Sequence, residues 1–382
     1  MKSTLFSPLT LRDVTLRNRI VISPIRQYCA HEGLANDWHL VHYGKLAQAG
    51  GGMVMVETTA VEPRGRTTYG DLGLWSNDQV APLGRIASFI KARGAVPGIK
   101  LGHAGRKAAV TRPWEGHAPL VDADAVRGEP PWRTVAPSAL PAARGWPEPD
   151  AMGADQLETV AAAWEAAARR ASRAGFEVLE IHCGHGYLLH EFLSPVSNLR
   201  SDAYGGGPAC RRAYPLEVVK RLRAIWPHNK PLMCRISVID GADGGYGIDE
   251  MVQFCRYLKD AGVDVIDCSS GGISGLASVA NRLARGVGRQ VRHAGRVRKD
   301  AAVKTMAVGL IVEPAQAEQV LQSGHADLVG IGREALYNPN WALHARERLE
   351  TDGFGSWPKE YGWWLERRAE SLRVSAETSR GG

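Results

Sequence analysis

The chain lacks several features that would assign its class at once. None of its 382 residues falls in an uninterrupted apolar run approaching the ~18 residues of a membrane span, so a membrane-embedded protein is not expected. The opening residues, Met1-Lys-Ser-Thr-Leu-Phe-Ser-Pro-Leu9, contain no apolar stretch of signal-peptide length, and a cytoplasmic protein is expected. Six cysteines (Cys29, Cys183, Cys210, Cys234, Cys255 and Cys268) are scattered without a C-x-x-C pair, which argues against both a zinc ribbon and a disulfide framework. No internal repeat and no interdomain linker is visible, so one domain is expected over residues 1–370, with a flexible tail over 371–382. Hydrophobic content of 44% and charged content of 23% are ordinary for a globular fold of this length. The net charge of +7 could attract nucleic acid or anionic metabolites. An arginine-rich surface explains it as well, and neither a nucleic-acid nor a membrane partner is expected. One local excess stands out: Arg282, Arg285, Arg289, Arg292, His293, Arg296, Arg298 and Lys299 crowd one short stretch, which reads either as a solvated helix face or as an anion-binding feature.

Short apolar or β-branched runs recur, each followed by a helical pattern. Candidate strands lie at 19–23, 53–57, 97–101, 178–182, 232–236, 265–268, 304–308 and 328–331. Several are almost continuously apolar, as parallel strands covered on both faces must be. Helices are expected at 76–93, 155–174, 208–226, 248–261, 314–323 and 334–349. This alternation predicts an α/β protein, a single-domain (β/α)8 TIM barrel. Residues 9–17 alternate like a hairpin that would close the barrel floor, and a long excursion rich in Pro, Trp and Gly interrupts the chain after strand 3, at about 103–152.

In such a barrel, function collects at the C-terminal ends of the strands. The fourth candidate strand ends in His182, with His185 and Tyr187 directly after it. Two imidazoles and a phenol can hold a carbonyl oxygen and deliver a proton beside it, chemistry that needs a hydride source. Other strand ends carry Pro24-Ile25-Arg26-Gln-Tyr28, Thr58-Thr-Ala60, Lys100-Leu-Gly-His103, Arg235 and Ser269-Ser-Gly-Gly272. The last two carry Gly309 and Gly330-Ile-Gly332-Arg333, where exposed backbone N–H groups and one guanidinium suit a phosphate. A metal at His182-x-x-His185 is disfavoured because no third ligand stands at zinc spacing. The Gly330–Ala335 segment imitates a dinucleotide fingerprint but lacks the strand and acidic residue that should follow.

Together these stretches resemble the old yellow enzyme family of flavin-dependent ene-reductases, in its compact bacterial branch with the xenobiotic reductases. The resemblance runs in order through Leu16–Val21, Leu101–Lys107, Ala174–His182, His185–Pro195, Asp202–Gly206, Asp267–Gly272, Val329–Arg333 and the terminal Trp364-Leu-Glu-Arg367. It implies FMN across the barrel mouth, with its phosphate on Gly309, Gly332 and Arg333 and Arg235 near the flavin N1 edge. Pro24, Ile25, Arg26, Ala60, Lys100 and His182 would also contact the cofactor. It implies NAD(P)H as reductant and a small-molecule substrate with an electron-poor C=C bond. His182 and His185 would hold the activating oxygen, Tyr187 would protonate the α-carbon, and Tyr28 and Trp364 would shape the substrate pocket. Homodimers are common in the family, and one is expected here.

Two positions depart from the family. Arg26 stands where the compact branch carries cysteine and other branches threonine, and Lys100 stands where a glutamine meets the flavin pyrimidine edge. With Arg235, three cations would then surround one ring. That would raise the flavin potential and favour desaturation or isomerisation of a specialised, possibly anionic, substrate. The alternative is that Arg26 or Lys100 turns to solvent or pairs with a carboxylate such as Glu57. Arg289 is expected to meet an anionic group, either a cofactor 2′-phosphate or a carboxylate or acyl-CoA substrate. A tRNA-modifying flavin barrel is disfavoured because its Asn-Gly-Cys-Pro loop is absent.

Overall fold

A computed structural model describes residues 3–274, 288–350 and 353–378. After a hairpin of β1 (Leu9–Leu11) and β2 (Val14–Leu16), the chain runs through β3 (Ile20–Ile22), α1 (Asp37–Ala47), β4 (Met53–Ala60), α2 (Val80–Ala92) and β5 (Val96–Gly102). The excursion carries the two-residue strands β6 (Val135–Ala136) and β7 (Asp150–Ala151). There follow α3 (Ala154–Arg173), β8 (Val178–Cys183), α4 (Leu188–Leu193), α5 (Pro208–Arg211), α6 (Ala213–Ile225), β9 (Leu232–Ser237) and α7 (Ile248–Asp260). The last units are β10 (Val265–Ser269), α8 (Arg289–Ala301), β11 (Lys304–Val308), α9 (Pro314–Gln322), β12 (Leu328–Ile331), α10 (Arg333–Tyr337), α11 (Trp341–Leu349) and α12 (Lys359–Thr378).

Strands β3, β4, β5, β8, β9, β10, β11 and β12 close a parallel barrel in chain order, as the alternating pattern predicts. Helix α3 shows why these segments wrap the outside. Leu157, Val160, Ala161, Trp164, Ala167, Ala168 and Ala171 are buried at three- and four-residue spacing, so one stripe faces the sheet. Asp155 in its first turn and Arg170 and Arg173 in its last complement the helix dipole.

The barrel interior is layered. Met53, Met55, Val178, Met233, Val265 and Met306 form an apolar floor, and Leu11 and Leu16 of the hairpin pack against it from below. Inward residues nearer the strand C-termini are instead charged: Lys100, Glu180, Arg235 and Asp267. The apolar layer gives the barrel its core. The charged layer sits under the mouth, where function is expected.

Some boundaries differ from those expected. Helix α1 went unpredicted because Asp37-Trp-His-Leu-Val-His-Tyr-Gly mixes weak helix formers. Asn36 caps it, accepting from the Trp38 N–H at 3.1 Å, and tertiary burial of Tyr43, Leu46 and Ala47 does the rest. The 334–349 segment splits because Pro339 cannot continue a helix. The tail expected from 371 is helical through Thr378 as part of α12.

Candidate active site

The loop after β8 is built so that three side chains return over the barrel mouth. His185 adopts a left-handed φ of 58° and Gly186 one of 71°. A Cβ at residue 186 would lie 2.2 Å from the Gly272 carbonyl oxygen, so only glycine allows this close approach. His185 is pinned twice: its N–H donates to Ser237 Oγ at 2.9 Å, and its Nε2 lies 2.7 Å from Ser269 Oγ. Ring centroids of His182 lie 5.2 Å from His185 and 4.9 Å from Tyr187. The three predicted groups therefore form one cluster.

Burial pushes the His182 imidazole well below its ordinary pKa, and the nearby Lys100, His185 and Arg235 add to it. His185 is lowered in the same way, by burial and then by Arg235 and Lys100. Both rings are neutral near pH 7, so each carries one N–H donor. Neither ring nitrogen of His182 has a hydrogen-bond partner, although both are buried. Orphaned polar atoms of this kind are rare in a finished core, and here they leave two imidazole nitrogens free to meet a ligand.

Beside this cluster lies a cavity of about 550 Å³. Pro24, Ile25, His185, Arg235, Gly309, Gly332 and Arg333 line it, all of them among the predicted residues. Ser23, Ser269, Gln290, Glu334 and Tyr337 also line it; Ser269 and Glu334 fall in the strand-end segments already singled out, whereas Ser23, Gln290 and Tyr337 carried no motif. Gly309 has φ 100°, and a Cβ there would meet Gln290 Oε1 at 2.1 Å. The cavity wall thus depends on a bare backbone at that point. Buried Ser23 Oγ, Arg235 Nε and Asp267 Oδ1 also lack hydrogen-bond partners. A flat, polar, anionic cofactor would fit this lining, which offers bare backbone at Gly309 and Gly332 and the cations Arg235 and Arg333.

The remaining predicted residues are placed differently. Ala60 is buried at the end of β4, and Lys100 and Arg26 do not line this cavity. Lys100 Nζ lies 2.7 Å from Glu180 Oε2, Arg235 donates to Asp267 Oδ2 at 2.6 Å, and Arg26 Nε lies 3.6 Å from Asp71 Oδ2. Of the two expectations for these cations, the structure shows the second: each faces a buried carboxylate instead of acting as one of three cations free to polarise a ring. Arg26 pairs with Asp71 rather than Glu57, because Glu57 is turned away. A register shift between Val56 and Thr58 makes a bulge in β4, and Glu57 there points outward to the Tyr43 hydroxyl, 3.2 Å away on α1.

Tyr28 takes φ 54° and sets its ring edge-on to Trp114 of the excursion, with centroids 5.8 Å apart. Trp364 does not join the cavity. It lies on α12, 66% exposed, with its ring against Trp363. In the basic stretch, Arg296 pairs with Asp249 and Asp300, and Arg298 with Asp327, as a solvated helix face would. Arg282, Arg285 and the Arg289 side chain lie outside the described residues. Among the described residues, no helix is long and apolar enough to cross a membrane, and no cluster of metal-ligating side chains is present.

Comparison with known proteins points the same way. The model of the NADH:flavin oxidoreductase / NADH oxidase family matches residues 4–352. The chain is 40% identical over 365 residues to an NADPH dehydrogenase of Geobacillus thermodenitrificans (strain NG80-2), covering 95% of this chain and 99% of that one. It is 39% identical to an NADPH dehydrogenase of Bacillus subtilis (strain 168), over 95% and 100% of the two chains. Among solved structures it superposes on morphinone reductase with a TM-score of 0.73 and 24% identity, over 91% and 90% of the chains. A 2-naphthoyl-CoA reductase complex gives a TM-score of 0.79 at 22% identity, over 90% of this chain and 52% of the other. These two structures bear on the fold.

Proposed function

The chain belongs to the NADH:flavin oxidoreductase / NADH oxidase family, the old yellow enzymes, and from that premise we propose that it reduces C=C bonds activated by a carbonyl or nitro group. It is an oxidoreductase that uses FMN with NAD(P)H as reductant. FMN, when bound, supplies hydride at its N5. The residues that would hold it line the cavity at the mouth: Gly309, Gly332 and Arg333 for the phosphate, and Pro24, Ile25 and Arg235 for the ring.

The chain's own contribution is positional and electrostatic. His182 has an unpartnered N–H for the oxygen of the activating group, and His185, with Nε2 held by Ser269, has Nδ1 for the same oxygen. These bonds strengthen as negative charge develops on that oxygen, which lowers the barrier. Tyr187 stands beside His182 to protonate the α-carbon. Tyr28 and Trp114 give the substrate an aromatic wall. The observation that carries this reading is the pair of orphaned nitrogens on buried His182, set between His185 and Tyr187.

Desaturation or isomerisation of an anionic substrate on the same site is the competing reading. It needs cations that act uncompensated on the ring, and the carboxylates opposite Lys100, Arg235 and Arg26 remove that basis. NADPH is the preferred reductant, in line with the relatives' names. Six free thiols support a reducing, cytoplasmic setting. Pairing through the exposed Trp363 and Trp364 face of α12 would give a homodimer, a point for light scattering of wild type and Trp364→Ala.

The deciding test is anaerobic. NADPH should bleach the yellow protein, and 2-cyclohexenone should restore the colour with one saturated ketone formed per flavin. Colour restored only by oxygen would reject the reading.

A further inference from the structure

We propose that Arg26 is a positioning residue for the proton donor: it orients the Tyr187 hydroxyl toward the substrate and steadies its oxygen as the proton leaves. The inference rests on the reading of Tyr187 as the acid.

Arg26 lies in the loop between β3 and α1, and its side chain is only 10% exposed. Its Nη1 donates to Tyr187 Oη at 2.9 Å and also to Thr67 Oγ1, and its guanidinium carbon lies 5.0 Å from the Tyr187 ring centroid. The guanidinium is itself held. Asp71 Oδ2 stands 3.6 Å from its Nε, and Asp71 in turn accepts from the Thr67 N–H at 2.8 Å and from Thr68 Oγ1 at 2.9 Å. The 67–71 turn is fixed against the loop carrying Arg26: Ala30 N–H donates to the Gly70 oxygen at 2.9 Å, and a Cβ on Gly70 would come within 2.1 Å of the Tyr28 oxygen. Arg26 therefore bridges a rigid turn to the phenol.

This geometry has two consequences. Because the guanidinium donates to Oη, the phenol's own hydrogen must point elsewhere. Arg26 is the only hydrogen-bond partner of Oη among the described residues, so that hydrogen is available to a ligand next to His182. Second, a charge-assisted bond to Oη strengthens as that oxygen gains negative charge. In the step itself, the Tyr187 O–H bond breaks and a C–H bond forms at the α-carbon with the electron pair of the enolate. The phenolate stays beside the guanidinium until water returns a proton. The alternative use of Arg26, as a receptor for a substrate carboxylate, fits less well because Asp71 already compensates its charge.

The test uses the full chain loaded with FMN, in Arg26→Gln, Arg26→Lys and Tyr187→Phe forms, with the two half-reactions followed separately by flavin absorbance. For Arg26→Gln, reoxidation by 2-cyclohexenone should slow about 10-fold or more, with a larger solvent deuterium isotope effect, whereas bleaching by NADPH changes by less than about 3-fold. Arg26→Lys should recover much of the reoxidation rate. Equal slowing of both half-reactions with an unchanged isotope effect would mean general packing damage and overturn the proposal. So would wild-type reoxidation in Arg26→Gln while Tyr187→Phe is slow. Wild-type reoxidation in Tyr187→Phe would remove the donor reading itself, and the inference with it.

Discussion

Lys100 and Glu180 face each other from paired positions on adjacent barrel strands, with Nζ 2.7 Å from Oε2 and side chains 3% and 0% exposed. Burial lowers the Lys100 ammonium and raises the Glu180 carboxyl, while each opposes that trend in the other. The pair keeps a cation in the barrel interior without leaving a net charge there.

Removing one partner should therefore be worse than removing both. Lys100→Met is expected to destabilise the fold by about 3–5 kcal/mol, since it leaves Glu180 buried and unpaired. The double variant Lys100→Met/Glu180→Leu should recover most of that loss. Urea unfolding of the three proteins measures it, and additive losses would contradict the pairing.

His182→Ala should slow flavin reoxidation by an enone about 10²–10³-fold, the usual effect of losing one donor to a developing oxyanion. The rate of bleaching by NADPH in the other half-reaction should change far less. Stopped-flow absorbance separates the two.

At Gly309, φ 100° and the close Gln290 side chain leave no room for a Cβ. Gly309→Ala should strain the backbone by about 1–3 kcal/mol or displace Gln290 into the cavity. FMN affinity is expected to fall about 10-fold or more, read by quenching of flavin fluorescence on binding.

Burial lifts the Glu57 carboxyl to about 8, against the Gln27 N–H that pulls it down. The folded protein thus holds a proton there that the unfolded chain releases near the ordinary value of 4.5. Stability from this group is complete below that ordinary value and is lost as pH rises through about 8. Thermal unfolding of wild type and Glu57→Gln from pH 5 to 8.5 should show the variant gaining relative stability as pH rises. A constant difference would count against a protonated Glu57.

The sequence alone determined the architecture and where the candidate site lies on it. Eight apolar runs alternating with helical patterns can be satisfied by few folds, and each run closed as a barrel strand. His182, His185 and Tyr187 are neighbours in sequence, so a single turn brings them together. Gly309, Gly332 and Arg333 line one cavity because the ends of adjacent parallel strands meet at the barrel mouth.

What the sequence could not give was the partner of each charge. Lys100 meets Glu180 only because two strands pair in one register, Arg26 meets Asp71 only because a distant turn folds over it, and Glu57 faces α1 only because β4 carries a bulge. Read along the chain, Arg26, Lys100 and Arg235 are three positive charges. In three dimensions each has a carboxylate within 3.6 Å, since an unpaired charge costs too much to bury. Residue types and spacing fixed where charge would collect, and long-range packing decided whether it would act or be balanced.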